Sequence, residues 1–194
     1  FEAVWRYLGL SVDWRMTYQT IDARSQKVSQ AAFLRNLARG EAYQAAAPGL
    51  WDVTYQTAVA QAELEARDYP GDYYRVAFNG TDGPIYIETT RPELLPSVVA
   101  LIAHPDDERY THLIGRRVRI PLTDRWVDVI ADESVEIGFG TGALKITPAH
   151  DATDYDIGER HGLPMPRVIG EDATLYGDLV PERFRGMDRF EARS

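Results

Sequence analysis

Within one short stretch the chain sets out a cation, a hydroxyl and two carboxylates. Lys145 and Thr147 stand two positions apart in the alternating run Ala143-Leu144-Lys145-Ile146-Thr147, so on a strand their side chains share a face. Asp151 and Asp154 stand three apart where a helix can begin, so they share a face as well. Pro148-Ala149-His150 between them is long enough only for a turn. The four side chains, a cation, a hydroxyl and two carboxylates, can therefore converge on one pocket. The plain alternative is a surface lysine beside two carboxylates that cap a helix. Spacing alone leaves both open.

A second string, Glu88-Thr89-Thr90-Arg91-Pro92-Glu93, ends one strand and opens a short helix with proline near its start. The amides and hydroxyls of Thr89, Thr90 and Arg91 can hold an anion or a ribose there, although an ordinary strand-to-helix junction would read the same. Other candidates are weaker. Gly138-Phe139-Gly140-Thr141-Gly142-Ala143 has the look of a phosphate loop, but it leads into a strand rather than a helix and no Gly-Lys-Ser/Thr follows. It reads as a backbone path that needs glycine. His104, His112, His150 and His161 have no zinc-protease spacing and read as structural. Asp106-Asp107-Glu108 reads as the acidic first turn of a helix. No Gly-x-Ser-x-Gly elbow is present, and the absence of cysteine excludes disulfides, zinc–thiolate sites and cysteine nucleophiles.

The elements that must position these groups follow from pattern. The chain has 194 residues, 44% apolar and 26% charged, which is globular composition for one domain or a domain with an appendage. Against 30 acidic residues stand 21 basic ones, for a net charge of −9, which argues against a module that holds nucleic acid by bulk charge alone. No apolar run approaches the ~20 residues of a membrane span; the expected location is cytoplasmic. A helix is expected over 2–9, and a second one capped by Thr20, with Val28, Ala31, Leu34, Leu37 and Ala38 on one stripe and Gly40 at its end. From Trp51 onward the grammar is that of strands. Ala62, Leu64 and Ala66 alternate with charged residues, and further strands are expected at 73–78, 85–89, 97–103, 117–120, 127–130, 143–147 and 167–169. Helical turns are expected at 92–95 and 106–113, and a longer helix at 151–160, closed by Gly162 and Pro164. The fold class expected is α+β, a β-barrel-like domain with short decorating helices and an N-terminal helical segment.

Taken together, Thr89-Thr90-Arg91-Pro92-Glu93, Ala103-His104-Pro105-Asp106-Asp107-Glu108-Arg109-Tyr110 and Gly140 to Asp154 resemble the editing domain inserted in class I aminoacyl-tRNA synthetases. The resemblance covers residues 84–163. Within that family Lys145-Ile146-Thr147-Pro148-Ala149-His150-Asp151 is most similar to the valyl enzymes, since isoleucyl and leucyl enzymes usually place another residue where Lys145 stands. Residues 1–58 look like the helical segment leading from the catalytic fold, 59–172 like the editing domain, and 173–194 like the return toward that fold. On this resemblance the chain is a piece of a longer one. Neither ATP signature of the class occurs in it, so ATP and Mg belong to the whole enzyme and no cofactor is expected here.

The resemblance also implies roles. Asp154 would accept the side-chain hydroxyl of a mischarged threonine, and Asp151 would pair with its α-ammonium. Lys145 and Thr147 would position the ester and the terminal adenosine, and Thr89, Thr90 and Arg91 would hold that adenosine. The implied partners are the 3′ end of an aminoacylated tRNA and the rest of the synthetase chain. Two departures stand out. Leu94 occupies a position where many relatives have threonine, and Trp51-Asp52-Val53-Thr54-Tyr55-Gln56 lacks the Cys-x-x-Cys pair that would hold zinc. The competing readings are the editing domain of an isoleucyl or leucyl enzyme, or an insertion that only contacts RNA.

Overall fold

In a computed structural model, which describes every residue from Phe1 to Ser194, the chain parts after Ala46 into two units, Phe1–Ala46 and Ala47–Ser194. The first unit holds helix α1 (Glu2–Tyr7) and helix α2 (Ala23–Ala38). The cap of α2 is Asp22, which accepts the Ser25 N–H at 2.7 Å; the expected cap, Thr20, lies too far upstream to reach a first-turn amide. Gly40, at φ +74°, follows the helix in the left-handed region, as helix ends favour. Neither helix buries a residue, so the stripe of Val28, Leu34 and Leu37 faces solvent. The expected boundary at residue 58 falls inside the second unit.

The second unit begins with a hairpin of β1 (Leu50–Asp52) and β2 (Thr57–Val59). The alternating stretch after it is no strand. Residues 61–63 form a 3-10 turn, in which the Glu63 carboxylate accepts the Ala60 N–H at 3.2 Å. Alanine and glutamate are poor strand formers, both faces of residues 61–66 are exposed, and period-two spacing with no face to bury specifies nothing.

Six strands then build one sheet: β3 (Tyr74–Gly80), β4 (Gly83–Thr89), β5 (Ala100–Ala103), β6 (Arg117–Arg119), β7 (Trp126–Ala131) and β8 (Ala143–Ile146). Their order is β4-β3-β6-β7-β5-β8, and β8 comes back close to β4, so the sheet is a nearly closed barrel. The expected α+β, barrel-like fold is what forms. Ile85, Ile87 and Thr89 of β4 point inward while Tyr86 and Glu88 point out, the alternation of a sheet with one face on the core. Phe78, Ile87, Leu101, Val118, Ile120 and Val129 fill the barrel. Strand β5, between β7 and β8, runs parallel to the first and antiparallel to the second, and all four of its residues are buried. Its other face, Ala100 and Ile102, packs with Ile146 and with Ile157 of helix α3 (Ala152–His161).

Smaller departures have local causes. Residues 92–97 form a 3-10 helix that delays the next strand to Ala100, because Pro92 and Pro96 supply fixed φ but withhold amides from a ladder. The expected strand at 167–169 is a single bridge, Ile169 to Leu175. The expected helix at 106–113 shrinks to a 3-10 turn at Thr111–Leu113. Asp107 is not a first-turn surface acid: it is buried and held by Arg109 Nε at 2.9 Å and Nη2 at 2.6 Å. A short helix α4 (Arg189–Arg193) ends the chain and packs on the 92–97 helix.

Helix α3 is fastened at both ends. Gly162 terminates it at φ +62°. Beside that end, buried Asp132 accepts hydrogen bonds from Arg160 Nη1 at 2.8 Å, from the Ser134 hydroxyl and N–H at 2.5 and 2.9 Å, and meets His161 Nε2 at 2.7 Å. Burial alone would raise the Asp132 pKa, but the Ser134, His161 and Arg160 contacts outweigh it and hold the value at about 2, below the ordinary 3.8. A carboxyl with a depressed folded pKa stabilises fully above its unfolded value and loses that contribution as pH falls toward the folded one. A shift of this size is worth roughly 2 kcal/mol. Urea unfolding of the wild type should therefore lose about that much stability between pH 4 and pH 2 through this group. Asp132→Asn should be the less stable protein at pH 6, with the difference from wild type shrinking as pH drops through that window.

Candidate functional site

The end of β8 and the start of α3 carry the first group of candidates. Lys145 stands opposite Leu101 of the barrel core in the β5–β8 register. Thr147, just past the strand, is fully buried. Its N–H and its hydroxyl both reach Asp154 Oδ2, at 2.8 and 3.0 Å. Lys145 Nζ donates in turn to the Thr147 hydroxyl at 3.3 Å. Ammonium, hydroxyl and carboxylate thus form one hydrogen-bonded row, and Asp154 Oδ1 has no partner in the protein. The close approach of helix to turn depends on Gly158, where an added Cβ would lie 2.8 Å from the Pro148 ring.

Asp151 takes a different place. It is the N-cap of α3, exposed, with Oδ1 accepting the N–H groups of Thr153 at 2.9 Å and Asp154 at 3.1 Å. The two readings left open by spacing are divided between the two aspartates: Asp151 caps, and Asp154 turns inward. They still sense each other. Burial raises the Asp154 pKa, opposed by the Thr147 N–H and by Lys145, and Asp151 adds to the rise. Burial lowers the Lys145 pKa, opposed by Asp154 and reinforced by Arg91. Lys145 is thereby held in a poorly solvated place chiefly by Asp154, and Asp154 first by the Thr147 N–H and then by Lys145.

The Thr-Thr-Arg string meets this row from β4. Thr89 is buried and its hydroxyl accepts the Arg91 N–H at 3.1 Å; Thr90 is exposed. Arg91 Nη1 donates to the His150 carbonyl at 2.9 Å, so the two strings are joined directly. The His150 ring accepts the Val168 N–H on Nε2 at 3.2 Å. Burial, then Arg91, Lys145 and Arg167, push its pKa down to about 4, so near neutral pH it is uncharged with its proton on Nδ1. Arg91 and His150 also line a cavity of about 480 Å3, whose walls do not include Lys145, Thr147 or Asp154.

Two residues that sequence reasoning passed over complete the arrangement. The Glu93 carboxylate is wholly buried, gripped by Arg193 Nη2 at 2.6 Å and Nε at 3.0 Å, with Arg91 Nε 3.7 Å away. Glu93 was visible inside the second string, but its partner lies 100 residues downstream and nothing local signals the pairing. Leu94, where a threonine was the family expectation, packs with Val168, Leu175 and Val180 in an apolar cluster, which leaves a hydroxyl no use there.

With this geometry established, comparison with known proteins places it. A family model described as leucyl-tRNA synthetase, editing domain, matches residues 102–182. A valine–tRNA ligase of Leifsonia xyli is 55% identical over 94% of the chain, one of Thermobifida fusca 55% over 100%, and one of Salinispora tropica 56% over 93%. The chain spans about a fifth of the length of these relatives, 21%, 22% and 21% respectively. A leucyl-tRNA synthetase chain solved in a ternary complex from Agrobacterium radiobacter covers 96% of this chain at a TM-score of 0.44 and 19% identity, too slight a likeness to bear on the fold.

The Glu93 grip has a measurable consequence. Arg193→Ala would strand a buried carboxylate, and breaking such a pair costs about 3 kcal/mol or more. Chemical denaturation should show that loss, with Glu93→Gln in the Arg193→Ala background recovering part of it by removing the orphaned charge. Unchanged stability of Arg193→Ala would mean the pair is not buried in solution.

Proposed function

The chain carries an editing domain of the class I aminoacyl-tRNA synthetase family, of the kind found in valine–tRNA ligases, and from that premise we propose that it hydrolyses the ester of threonyl-tRNA(Val). Valine and threonine have nearly the same shape, and a hydrophobic pocket rejects an added hydroxyl only modestly, a limit whose recognised example is the valyl enzyme itself. A second site must test the opposite property and welcome the hydroxyl. The observation that carries this reading is Asp154: a partly buried carboxylate with Oδ2 fixed by Thr147 and Oδ1 without a protein partner. A threonyl hydroxyl would donate to Oδ1. A valyl methyl in its place would leave that oxygen desolvated and unpaired, a penalty of about 1–3 kcal/mol.

The other groups follow from their places. The exposed oxygens of the Asp151 carboxylate would pair with the substrate's α-ammonium beside the helix start. Water attacks the ester carbonyl, a tetrahedral oxyanion forms, and the bond to the ribose oxygen breaks; free threonine leaves and the proton lost by water ends on the ribose hydroxyl. Lys145, already donating toward Thr147, would face the developing oxyanion, where a preorganised cation acts most strongly. Thr89, Thr90 and Arg91 would hold the terminal adenosine. Aminoacyl esters are reactive, so orientation of water can suffice without a protein nucleophile, and the reading requires no metal or cofactor. The partners implied are the 3′ end of tRNA and the rest of a valyl-tRNA synthetase. No helix is long and apolar enough to cross a membrane.

In a valyl-tRNA synthetase carrying this chain, Asp154→Ala should slow deacylation of threonyl-tRNA(Val) by roughly 100-fold, and Lys145→Ala by a similar factor, with valine activation unchanged. Threonyl-tRNA clearance by Asp154→Ala at the wild-type rate would exclude Asp154 from the reaction, and faster hydrolysis of valyl-tRNA(Ile) than of threonyl-tRNA(Val) would assign the site to the isoleucyl type instead. The pH profile carries a second signature. Because the Asp154 pKa is raised from 3.8, activity should begin to fall on the acid side above the ordinary carboxylate range. Because the Lys145 pKa is lowered from 10.5, it should fall on the alkaline side before ordinary lysine titrates. Replacing Lys145 by Arg should move the alkaline limb upward.

A further inference from the structure

We infer that the cavity beside Arg91 is a binding site for a backbone phosphodiester of single-stranded RNA. It is about 480 Å3, and three arginines, Arg91, Arg167 and Arg189, line it together with His150. The charge is poorly compensated. Arg167 makes no hydrogen bond or ion pair within the protein, and Arg189 makes none from its guanidinium beyond stacking 4.8 Å from the Phe190 ring. Arg189 Nε is also the one buried side-chain polar atom in the protein that lacks a hydrogen-bond partner. A buried donor left unsatisfied is costly, and a bound anion or water is one way to meet that cost. The one acidic residue in the wall, Glu171, is exposed and pairs with none of the three arginines. In a chain of net charge −9, this is a local reversal of sign enclosed in a hollow.

The geometry points to a phosphate and to RNA. Guanidinium forks match the oxygens of a phosphate and hold it in two-pronged fashion. Arg91 lines the cavity and donates to the His150 carbonyl in the turn between Thr147 and Asp154, so the hollow adjoins the turn that carries that row. At the rim Trp51 is 41% exposed, and its indole N–H is tied to the Glu171 carbonyl at 3.0 Å. That bond fixes a ring on which a base can stack, and stacking on a fixed aromatic ring is the usual companion of backbone contacts in single-strand binding. The assignment of RNA as the source of the phosphate rests on the deacylase reading; the anion site itself does not require it.

The test is a titration of the 194-residue chain with a fluorescent single-stranded RNA of sequence 5′-ACCA, repeated from about 50 to about 200 mM salt. Arg167→Ala, which removes no hydrogen bond or ion pair within the protein, should weaken binding about fivefold at the lowest salt and reduce the slope of log affinity against log salt by about 0.7, the value for one phosphate contact on a single strand. Arg189→Lys should keep the slope and still weaken binding, because the charge stays and the fork is lost. Arg183→Ala, outside the cavity, should match wild type. Equal affinity and slope for Arg167→Ala and wild type would overturn the proposal, and inorganic phosphate binding more tightly than the RNA would overturn the assignment to a strand. Asp154→Ala separates the two readings: unimpaired deacylation in that variant, alongside a persisting Arg167→Ala effect on RNA, would remove the deacylase and keep the phosphate site.

Discussion

The two hydrogen bonds from Thr147 to a single oxygen of Asp154 are the constraint on which the site depends. They are made by the backbone and side chain of one fully buried residue, so they cannot be satisfied unless β8 ends where it does and α3 begins one turn later. They dock the helix on the barrel, and they stabilise a carboxylate whose charge burial disfavours. They also fix which oxygen remains. A slip of β8 by one residue against β5 would exchange Lys145 for Leu144 on the face opposite Leu101, because register in a sheet decides which side every side chain takes. The burial of all four β5 residues between β7 and β8 makes such a slip expensive.

A second buried carboxylate organises the other half. Glu93 stands between Arg193 of α4 and Arg91, and Arg91 reaches on to the His150 carbonyl. The last helix of the chain is thereby connected, through two ion pairs and one hydrogen bond, to the turn that carries Asp151. Only the first of those pairs is close. Arg91, held at 3.7 Å, keeps part of its hydrogen-bonding capacity, as the proposed role in holding the adenosine requires.

How far the sequence led is best seen element by element. Strands β3, β4, β6 and β7 were legible because apolar and polar residues alternate between turns, and α3 because Asp151 caps it and Gly162 ends it. Alternation misled at 62–67, where no partner strand exists to reward it. Thr20 has the residue type of a cap, but the chain uses Asp22, two residues closer to the amide it accepts. In the site, the convergence of Lys145, Thr147 and Asp154 was readable because all three lie within one strand-turn-helix unit. The roles of Glu93 with Arg193, of Asp132 with Arg160, and of the three cavity arginines were not, since each joins residues far apart in sequence and only the folded chain brings them together.

The contrast between Asp151 and Asp154 explains how one helical turn can serve two tasks. They are the same residue type, separated by three positions, yet one is solvated at a helix start and the other is desolvated against a barrel. Environment alone splits their behaviour, which is the usual way a protein assigns different work to like groups. On the proposed reading the solvated one meets an ammonium, a charge that water would otherwise hold, and the desolvated one judges a hydroxyl, where the absence of water gives the judgement its force. Because Oδ2 is already satisfied, the discrimination comes from one oxygen and one hydrogen bond, about 1–3 kcal/mol or roughly 5- to 150-fold. Leu94 is packed in an apolar cluster and can add no second polar contact, so the selectivity of this site rests on Asp154 more heavily than it would where a threonine stands. That modest factor is sufficient in principle, since a second sieve multiplies the selectivity of the first instead of replacing it.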